Sequence, residues 1–384
     1  MESLESIELF SGAGGLALGL HAAGFRHRSL YEWNATAVET LLYNQRIGHP
    51  SLDNCSISRA DVRDVDFSKY RGIDLVAGGP PCQPFSMGGK AAGMNDVRDM
   101  FPQAIRAVAE SQPRAFIFEN VRGLLRPAFT NYVEYIRLQM EFPEFPTSEN
   151  ISWDQNLGRL QRHKERLGDT LAGLRYRVHV HQVNAADFGI PQQRHRVFFI
   201  GFRADLKTDW SFPKPTHADR SSYTSQNLLS VKGNREMKKK LIPQWVTLRE
   251  CIRDLPYPTT KSSKKWHNHI LQSGAKSYPG HTGSSLDRPA KALKAGAHGV
   301  PGGENMILYP NGTVRYLSVR ECARIQTFPD DYVFLGSWSE AMRQLGNAVP
   351  MKLAEIVGRS VVKALTGQTA AEIQFLTRES LQPS

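Results

Sequence analysis

Cysteine is scarce in this chain: four residues, Cys55, Cys82, Cys251 and Cys322, among 384. They stand far apart with no C-x-x-C pair, which excludes a zinc ribbon or a disulfide framework and fits a reducing compartment. No apolar run approaches the ~20 residues of a membrane helix, and no internal repeat is present. The first residues run straight into an apolar strand without a charged-then-apolar leader, so a cytoplasmic protein without a resident metal is expected. Acidic residues are the minority charge, 37 Asp and Glu against 48 Lys and Arg, for a formal net charge of +11. That balance favours a polyanionic partner.

The positive excess is concentrated. Residues 205–312 hold 17 Lys and Arg against 8 Asp and Glu, which points to a phosphate-binding face more than to a generally solvated surface. The same stretch is rich in Ser, Pro, Gly and Lys with weak periodicity, and so reads as a small domain of short strands and loops. Before it, apolar strands alternate with amphipathic helices: Ile7–Phe10, Ser29–Tyr31, Ile73–Ala77, Ala115–Phe118, Val178–Val183 and Val197–Ile200 as strands, Thr36–Asn44 and Phe101–Glu110 as helices. This is the pattern of a doubly wound α/β fold with a mostly parallel sheet. Leu157, Leu160, Leu167, Leu171 and Leu174 recur at helical spacing and predict an amphipathic helix packed on the sheet. The expected division is a first α/β domain over 1–204, a loop- and strand-rich domain over 205–312, and a segment over 313–384 that returns to complete the first.

Phe10-Ser11-Gly12-Ala13-Gly14-Gly15-Leu16 joins the first strand to the first helix, where glycines let the backbone approach a ligand. The G-x-G-x-x-G fingerprint is incomplete, with Ala17 at its last position, which disfavours a nicotinamide dehydrogenase. Glu32 closes the second strand, where a carboxylate accepts from both ribose hydroxyls. Trp33 offers an indole to adenine, and Asp61 an acceptor for its amino group; core packing and a helix cap are the plainer readings of these two. No phosphate-binding Lys or Arg stands near the turn. An adenosyl ligand without phosphates, S-adenosylmethionine, therefore fits better than NAD.

Gly78-Gly79-Pro80-Pro81-Cys82-Gln83-Pro84-Phe85-Ser86 directly follows a buried strand. A cysteine on a Gly/Pro-stiffened loop at a strand's carboxyl end suits a nucleophile held in one pose, although a lone cysteine is as readily a small buried hydrophobe. Glu119-Asn120-Val121 ends a neighbouring strand, and Gln192-Gln193-Arg194-His195-Arg196 precedes another. A carboxylate beside arginines is either a structural ion pair or a site device.

In order along the chain, Phe10–Gly15, Glu32-Trp33, Gly79-Pro80-Pro81-Cys82-Gln83, Glu119-Asn120-Val121, Gln192-x-Arg194-x-Arg196, Arg320-Glu321-Cys322-Ala323-Arg324 with Phe328-Pro329, and Gly346-Asn347-Ala348-Val349 resemble the C5-cytosine DNA methyltransferases of the bacterial modification type. The resemblance implies a catalytic set of Cys82, Glu119, Arg194 and Arg196. Cys82 adds to C6 of a flipped-out cytosine, Glu119 bonds N3, Arg196 contacts the O2 side, and Arg194 supports the acid. It implies a pocket for S-adenosylmethionine, which leaves as S-adenosylhomocysteine, built from Phe10, Gly12, Ala13, Gly14, Leu16, Glu32, Trp33, Asp61, Val62, Pro80, Met100, Asn347 and Val349. Ser86–Asp99 looks like a lid, and Gln83, Ser86, Lys90 and Arg98 are expected at the DNA. The basic region is then a target-recognition domain, with Lys238, Lys239 and Lys240 on phosphates. Arg320 and Arg324 are expected to brace the domain junction. The partner is double-stranded DNA, the protein acts as a monomer, and a cognate restriction endonuclease can share the system without binding it. A tRNA cytosine methyltransferase of the same fold is the alternative; a catalytically dead DNA-binding regulator is disfavoured by the intact Cys82, Glu119 and Arg196. Trp266-His267-Asn268-His269 suggests a metal site only superficially.

Replacing Lys238, Lys239 and Lys240 together with Gln is expected to weaken binding to all duplex sequences alike. A salt titration should show the log–log slope reduced by about 0.9 for each phosphate no longer neutralised; an unchanged slope assigns this run to solvent.

Overall fold

A computed structural model describes residues 4–81, 99–148, 150–168, 170, 172–219, 242–295 and 305–367. Its elements begin with β1 (Leu4–Leu9), α1 (Gly15–Ala23), β2 (Phe25–Glu32), α2 (Ala35–Arg46), β3 (Ser56–Arg59), β4 (Leu75–Gly78), α3 (Phe101–Ser111) and β5 (Ala115–Val121). They continue with α4 (Thr130–Glu141), α5 (Trp153–Leu167), β6 (Tyr176–Asn184), β7 (Gln192–Gln193) and β8 (His195–Arg203). Seven strands form one sheet in the order β3-β2-β1-β4-β5-β8-β6. Pairing is parallel from β3 through β5, and β8 runs antiparallel to β5. The mostly parallel α/β sheet expected from the alternating pattern is present. β4 and β5 read as continuous apolar runs because both faces are covered: Leu75, Val76, Ala77 and Ala115 to Phe118 are all fully buried.

The chain divides into two compact units. The first comprises the described parts of Met1–Val183, His195–Phe212 and Ala354–Ser384; the second comprises those of Asn184–Arg194 and Pro213–Leu353. In the first, the last helix, α9 (Met351–Thr366), packs on α1. Gly358 permits this approach, since a Cβ there would stand 2.8 Å from that of Ala23. Arg359 Nη2 donates to the Ala22 carbonyl (2.9 Å), and Arg114 Nη2 to that of Leu365 (2.9 Å).

By its contacts the chain parts at 212 and 353, and a side-chain network holds residues 315–334 within the second unit. Helix α7 (Val319–Ile325) follows the short helix α6 (Leu248–Ile252) in the second unit. Arg320, fully buried, donates to the carbonyls of His267, Pro329 and Tyr332. Arg324 pairs with Asp254 and Asp330 and lies over Trp266. Arg315 forms a buried pair with Glu321 (2.7 Å). These bonds tie residues 315–334 to 251–269, so both arginines brace the inside of the second unit. His269 is held there by Ser318 Oγ (2.8 Å) and the Pro256 carbonyl (2.6 Å), which accounts for both of its nitrogens.

The leucine-spaced helix is also placed differently. α5 stops at Leu167, so Leu174 lies beyond it, and Leu171 falls outside the described residues. Leu157 and Leu160 pack on Leu138 and Phe142 of α4 and its C-cap, not on the sheet. The α4–α5 hairpin is closed by Glu141, which accepts from Arg137 (3.0 Å), Lys164 (2.8 Å) and Arg175 (2.9 Å). Burial pushes this carboxyl up, but the hydrogen bonds from Lys164 and Arg175 and the charges of Lys164 and Arg137 outweigh it and hold the pKa below the usual value.

A group with a depressed folded pKa stabilises the fold above its unfolded pKa, and that stability is lost as pH falls through the folded value. Glu141→Gln should cost about 2 kcal/mol at pH 7 by chemical denaturation, because it leaves cations unpaired. The difference from wild type should shrink below about pH 4; a pH-independent difference would rule out the charge as its source.

Candidate active site

At the carboxyl edge of the sheet, the turn after β1 is the tightest feature. Phe10 (φ 57°), Gly12 (φ 54°) and Gly14 (φ 88°) all take left-handed backbone conformations. Phe10 is strained there, as a non-glycine residue must be. Ser11 ties the turn to β2 through its N–H and hydroxyl, both donating to the Tyr31 carbonyl (3.1 Å each). Gly14 caps α1 and donates to the Ser11 carbonyl (2.9 Å). Ala13 and Leu16 are buried in the same turn.

Glu32, the last residue of β2, accepts from the Gly12 N–H at Oε2 (2.8 Å) and the Asn34 N–H at Oε1 (2.7 Å). Each oxygen keeps lone-pair capacity for a ligand. Beneath it Glu8 of β1 is fully buried, its Oε2 without a hydrogen-bond partner among the described residues. Burial, and then the charge of Glu32, push the Glu8 carboxyl well above its ordinary pKa.

Glu32 opens onto a cleft of about 510 Å³ lined also by Phe10, Tyr31, Trp33, Ala60, Asp61, Val62, Arg63, Pro81 and Met100. Phe10, Glu32, Trp33, Asp61, Val62 and Met100 were named from the sequence; Tyr31, Ala60, Arg63 and Pro81 were not. Trp33 is 65% exposed, so core packing does not explain it. Asp61 does cap the 3-10 turn that follows, accepting from the Arg63 N–H (3.0 Å). It also pairs with the Arg63 guanidinium, the one basic side chain on the cleft wall among the described residues. Pro80 is buried and accepts from Asn120, while its neighbour Pro81 faces the cleft. The donor set is two carboxylates, three aromatic rings and a cation already neutralised by one of the acids. It suits a nucleoside with a positive centre and no phosphates, as S-adenosylmethionine is.

β4 and β5 are in register with Gly78 opposite Phe118, so the chain leaving β4 runs beside Glu119. A Cβ on Gly79 would stand 3.7 Å from Glu119 Oε2, and Asn120 Nδ2 donates to the Pro80 carbonyl (3.0 Å). Met100 N–H donates to the Pro81 carbonyl (3.1 Å). Cys82, Gln83, Ser86, Lys90 and Arg98 lie outside the described residues, as do Lys238, Lys239 and Lys240. Glu119 is 7% exposed, and its Oε1 lies 2.6 Å from Arg196 Nε. Burial lowers the Arg196 pKa, and the charge and hydrogen bond of Glu119 oppose that.

Arg194 has a different setting. In the second unit, fully buried, it donates to the carbonyls of Leu293 (3.2 Å), Gly346 (2.6 Å) and Ala348 (2.9 Å). Gln326 Nε2 donates to the Leu345 and Ala348 carbonyls alongside it. Arg194 therefore fastens the turn that carries Asn347 and Val349; the guanidinium on Glu119 belongs to Arg196. Asn347 ends a helix, α8 (Trp338–Asn347), and is exposed, whereas Val349 is buried.

Comparison with known proteins gives these features a common origin. Residues 4–162 and 154–363 match the family model for the C-5 cytosine-specific DNA methylase. The Type II methyltransferase M.NgoMIV of Neisseria gonorrhoeae is 35% identical over 376 residues, covering 94% of this chain and 97% of that protein. M.FnuDI of Fusobacterium nucleatum is 30% identical over 373 residues, covering 94% and 95%. Among solved structures, the S. pombe Dnmt2 methyltransferase superposes with a TM-score of 0.57 at 18% identity, over 94% of this chain and 99% of that one, a likeness of fold. With the model matching almost the whole length, and two relatives at 30% identity or more end to end, the chain belongs to the C-5 cytosine-specific DNA methylase family and is a DNA cytosine-5 methyltransferase.

Proposed function

We propose that this enzyme methylates C5 of one cytosine within a defined sequence of duplex DNA, as the modification partner of a restriction endonuclease it need not bind, acting as a monomer in the cytoplasm at the nucleoid. The observation that carries the reading is the juxtaposition, on one sheet edge, of Glu119 with its Arg196 partner and the Gly79–Pro81 approach to Cys82, with the Glu32 cleft entered by Pro81 and Met100. The Type II relatives and the basic 205–312 region support duplex DNA over tRNA as substrate. Among the described residues, no helix is long and apolar enough to cross a membrane, and no cluster of three metal-binding side chains occurs.

When bound, S-adenosylmethionine supplies an electrophilic methyl group. Glu32 holds the ribose hydroxyls, Phe10, Trp33 and Val62 enclose the adenine, and Asp61 accepts from its amino group. C5 of cytosine is too weak a nucleophile unaided. The Cys82 thiolate adds its electron pair to C6 of the flipped base, and the C5–C6 π pair becomes available at C5. Glu119 donates a proton to N3, offsetting the charge that develops on addition, and Arg196 binds O2 while keeping Glu119 oriented. After C5 gains the methyl carbon, a base removes the C5 proton; its C–H pair reforms the double bond and expels the Cys82 thiolate, and N3 returns its proton to Glu119. Gln83, Ser86, Lys90 and Arg98 contact the flipped nucleotide and its phosphates.

The other thiols are unsuited to this role. Burial pushes Cys55 and Cys251 up to about 12, and Cys322 well above the usual thiol value. None is thiolate near neutrality.

Bisulfite sequencing of a plasmid from cells expressing the protein should reveal one protected cytosine within a fixed sequence, and none with Cys82→Ser. Iodoacetamide at pH 8 should label Cys82 alone in the folded protein; methylation by the serine variant, or labelling confined to another cysteine, would remove the covalent route. The two site carboxylates should separate by calorimetry and single-turnover kinetics. Glu119→Gln should slow turnover by about two orders of magnitude or more with cofactor affinity nearly intact. Glu32→Ala should weaken S-adenosylhomocysteine binding by about 1–3 kcal/mol. Reversed phenotypes would exchange the two assignments.

A further inference from the structure

One side chain on the cleft wall has no part in the chemistry described so far. Arg63 stands two residues beyond Asp61 and grips its carboxylate from the side: Nε lies 2.9 Å from Oδ1 and 3.0 Å from Oδ2, and Nη2 2.5 Å from Oδ2. The Arg63 N–H adds a bond to Oδ1 (3.0 Å). The Nε proton is shared between the two oxygens, so each oxygen accepts one undivided bond and part of another and keeps part of its acceptor capacity. Gripped from both sides in this way, the carboxylate has lost its freedom to rotate, and its remaining acceptor directions are fixed. Both residues line the cofactor cleft.

The turn beneath them is also immobilised. Arg106 of α3 donates to the carbonyls of Val62 (2.6 Å) and Val65 (3.0 Å), and its own charge is met by Glu110 (2.8 Å). Arg106 therefore fixes the backbone from which the Arg63 side chain projects. Arg63 itself is 56% exposed and takes no part in the hydrophobic core. An exposed pair of this kind contributes little to stability, so its presence on a ligand-binding wall calls for another explanation. An ionised carboxylate is an acceptor without a proton to give. Held rigidly, it rewards a donor at the purine 6-position and repels an acceptor there; left free, it can turn away from a mismatched ligand and lose that discrimination.

We propose that Arg63 is a positioning residue that orients the Asp61 carboxylate and so sets the selectivity of the cleft for a 6-amino over a 6-oxo purine cofactor. This rests on the proposed function, in which Asp61 meets the adenine amino group. The effect runs through orientation, so Arg63 touches neither the sulfonium centre nor the cytosine.

The test is calorimetry on the full-length protein with two probes, S-adenosylhomocysteine and its deaminated analogue S-inosylhomocysteine. Wild type should prefer the amino compound strongly. Arg63→Ala should bind S-adenosylhomocysteine about tenfold more weakly, the size of one charge-assisted hydrogen bond, with little change for the inosyl compound, so the selectivity ratio falls about tenfold. Arg63→Lys should recover part of the ratio, because an ammonium reaches the carboxylate without the two-pronged geometry. Equal weakening toward both probes, as general damage to the turn would produce, overturns the proposal, and so does an unchanged ratio. Asp61→Ala separates the two levels of the reading. If it abolishes the ratio while Arg63→Ala leaves it intact, Asp61 reads the base without help from Arg63. If Asp61→Ala itself leaves the ratio unchanged, the adenine assignment fails and the role of Arg63 fails with it.

Discussion

A carboxylate taken out of water must bring a cation with it, and this requirement organises the catalytic edge of the first unit. Glu119 lies near the end of β5, which is buried from Ala115 to Asn120, with almost no solvent of its own. Its partner Arg196 arrives on β8, whose antiparallel pairing sets Arg196 opposite Val121 and Phe198 opposite Glu119. Residues two apart on a strand share a face, so Arg196 reaches Glu119 along the diagonal. A parallel β8 would bring its chain to the edge in the other direction and leave the acid unpartnered. The reversed strand β8 delivers a guanidinium that keeps the acid oriented, at a place where β4 also ends and hands over to Gly79, Pro80 and Pro81.

The cofactor cleft follows a different electrostatic logic. Two acids, Glu32 and Asp61, stand on its wall, and Glu8 lies buried beneath. Burial and the neighbouring charge of Glu32 push the third carboxyl well above its ordinary pKa, so ionisation is disfavoured there relative to the two acids on the wall. Arg63 is engaged by Asp61, so among the described residues the wall offers a phosphate no uncommitted cation. The strained turn at Phe10, Gly12 and Gly14 presents the Gly12 N–H to Glu32 and thereby fixes the carboxylate that faces the ligand.

Much of this was legible in one dimension, and unevenly so. The apolar runs at Leu75–Gly78 and Ala115–Phe118 announced buried central strands because a strand covered on both faces has no polar side to show. The catalytic motifs were legible because each is short and contiguous. Arg194 and Arg196 illustrate the limit. Two residues apart, they read with Arg194 supporting the acid and Arg196 at the base, yet Arg196 meets Glu119 and Arg194 the carbonyls of Leu293, Gly346 and Ala348. Leu174 misled for a related reason: its spacing continued a helical period after Gly168 had ended the helix. Arg63 carried a faint signal, its spacing from Asp61, but a pair two residues apart is common on any surface.

Composition, element order and motif order determined the α/β class and the family, and they singled out Cys82, Glu32 and Asp61 as the candidates for the thiol and the cofactor acids, because each depends on residues adjacent in the chain. Tertiary structure decided which arginine serves Glu119, that α5 packs on α4, and that residues 315–334 join the second unit. It also decided that burial and Glu32 raise the Glu8 pKa and that Asp61 is held by Arg63. Those outcomes depend on strand direction, burial and the meeting of distant side chains, whose energies arise only when the chain has closed on itself and excluded water.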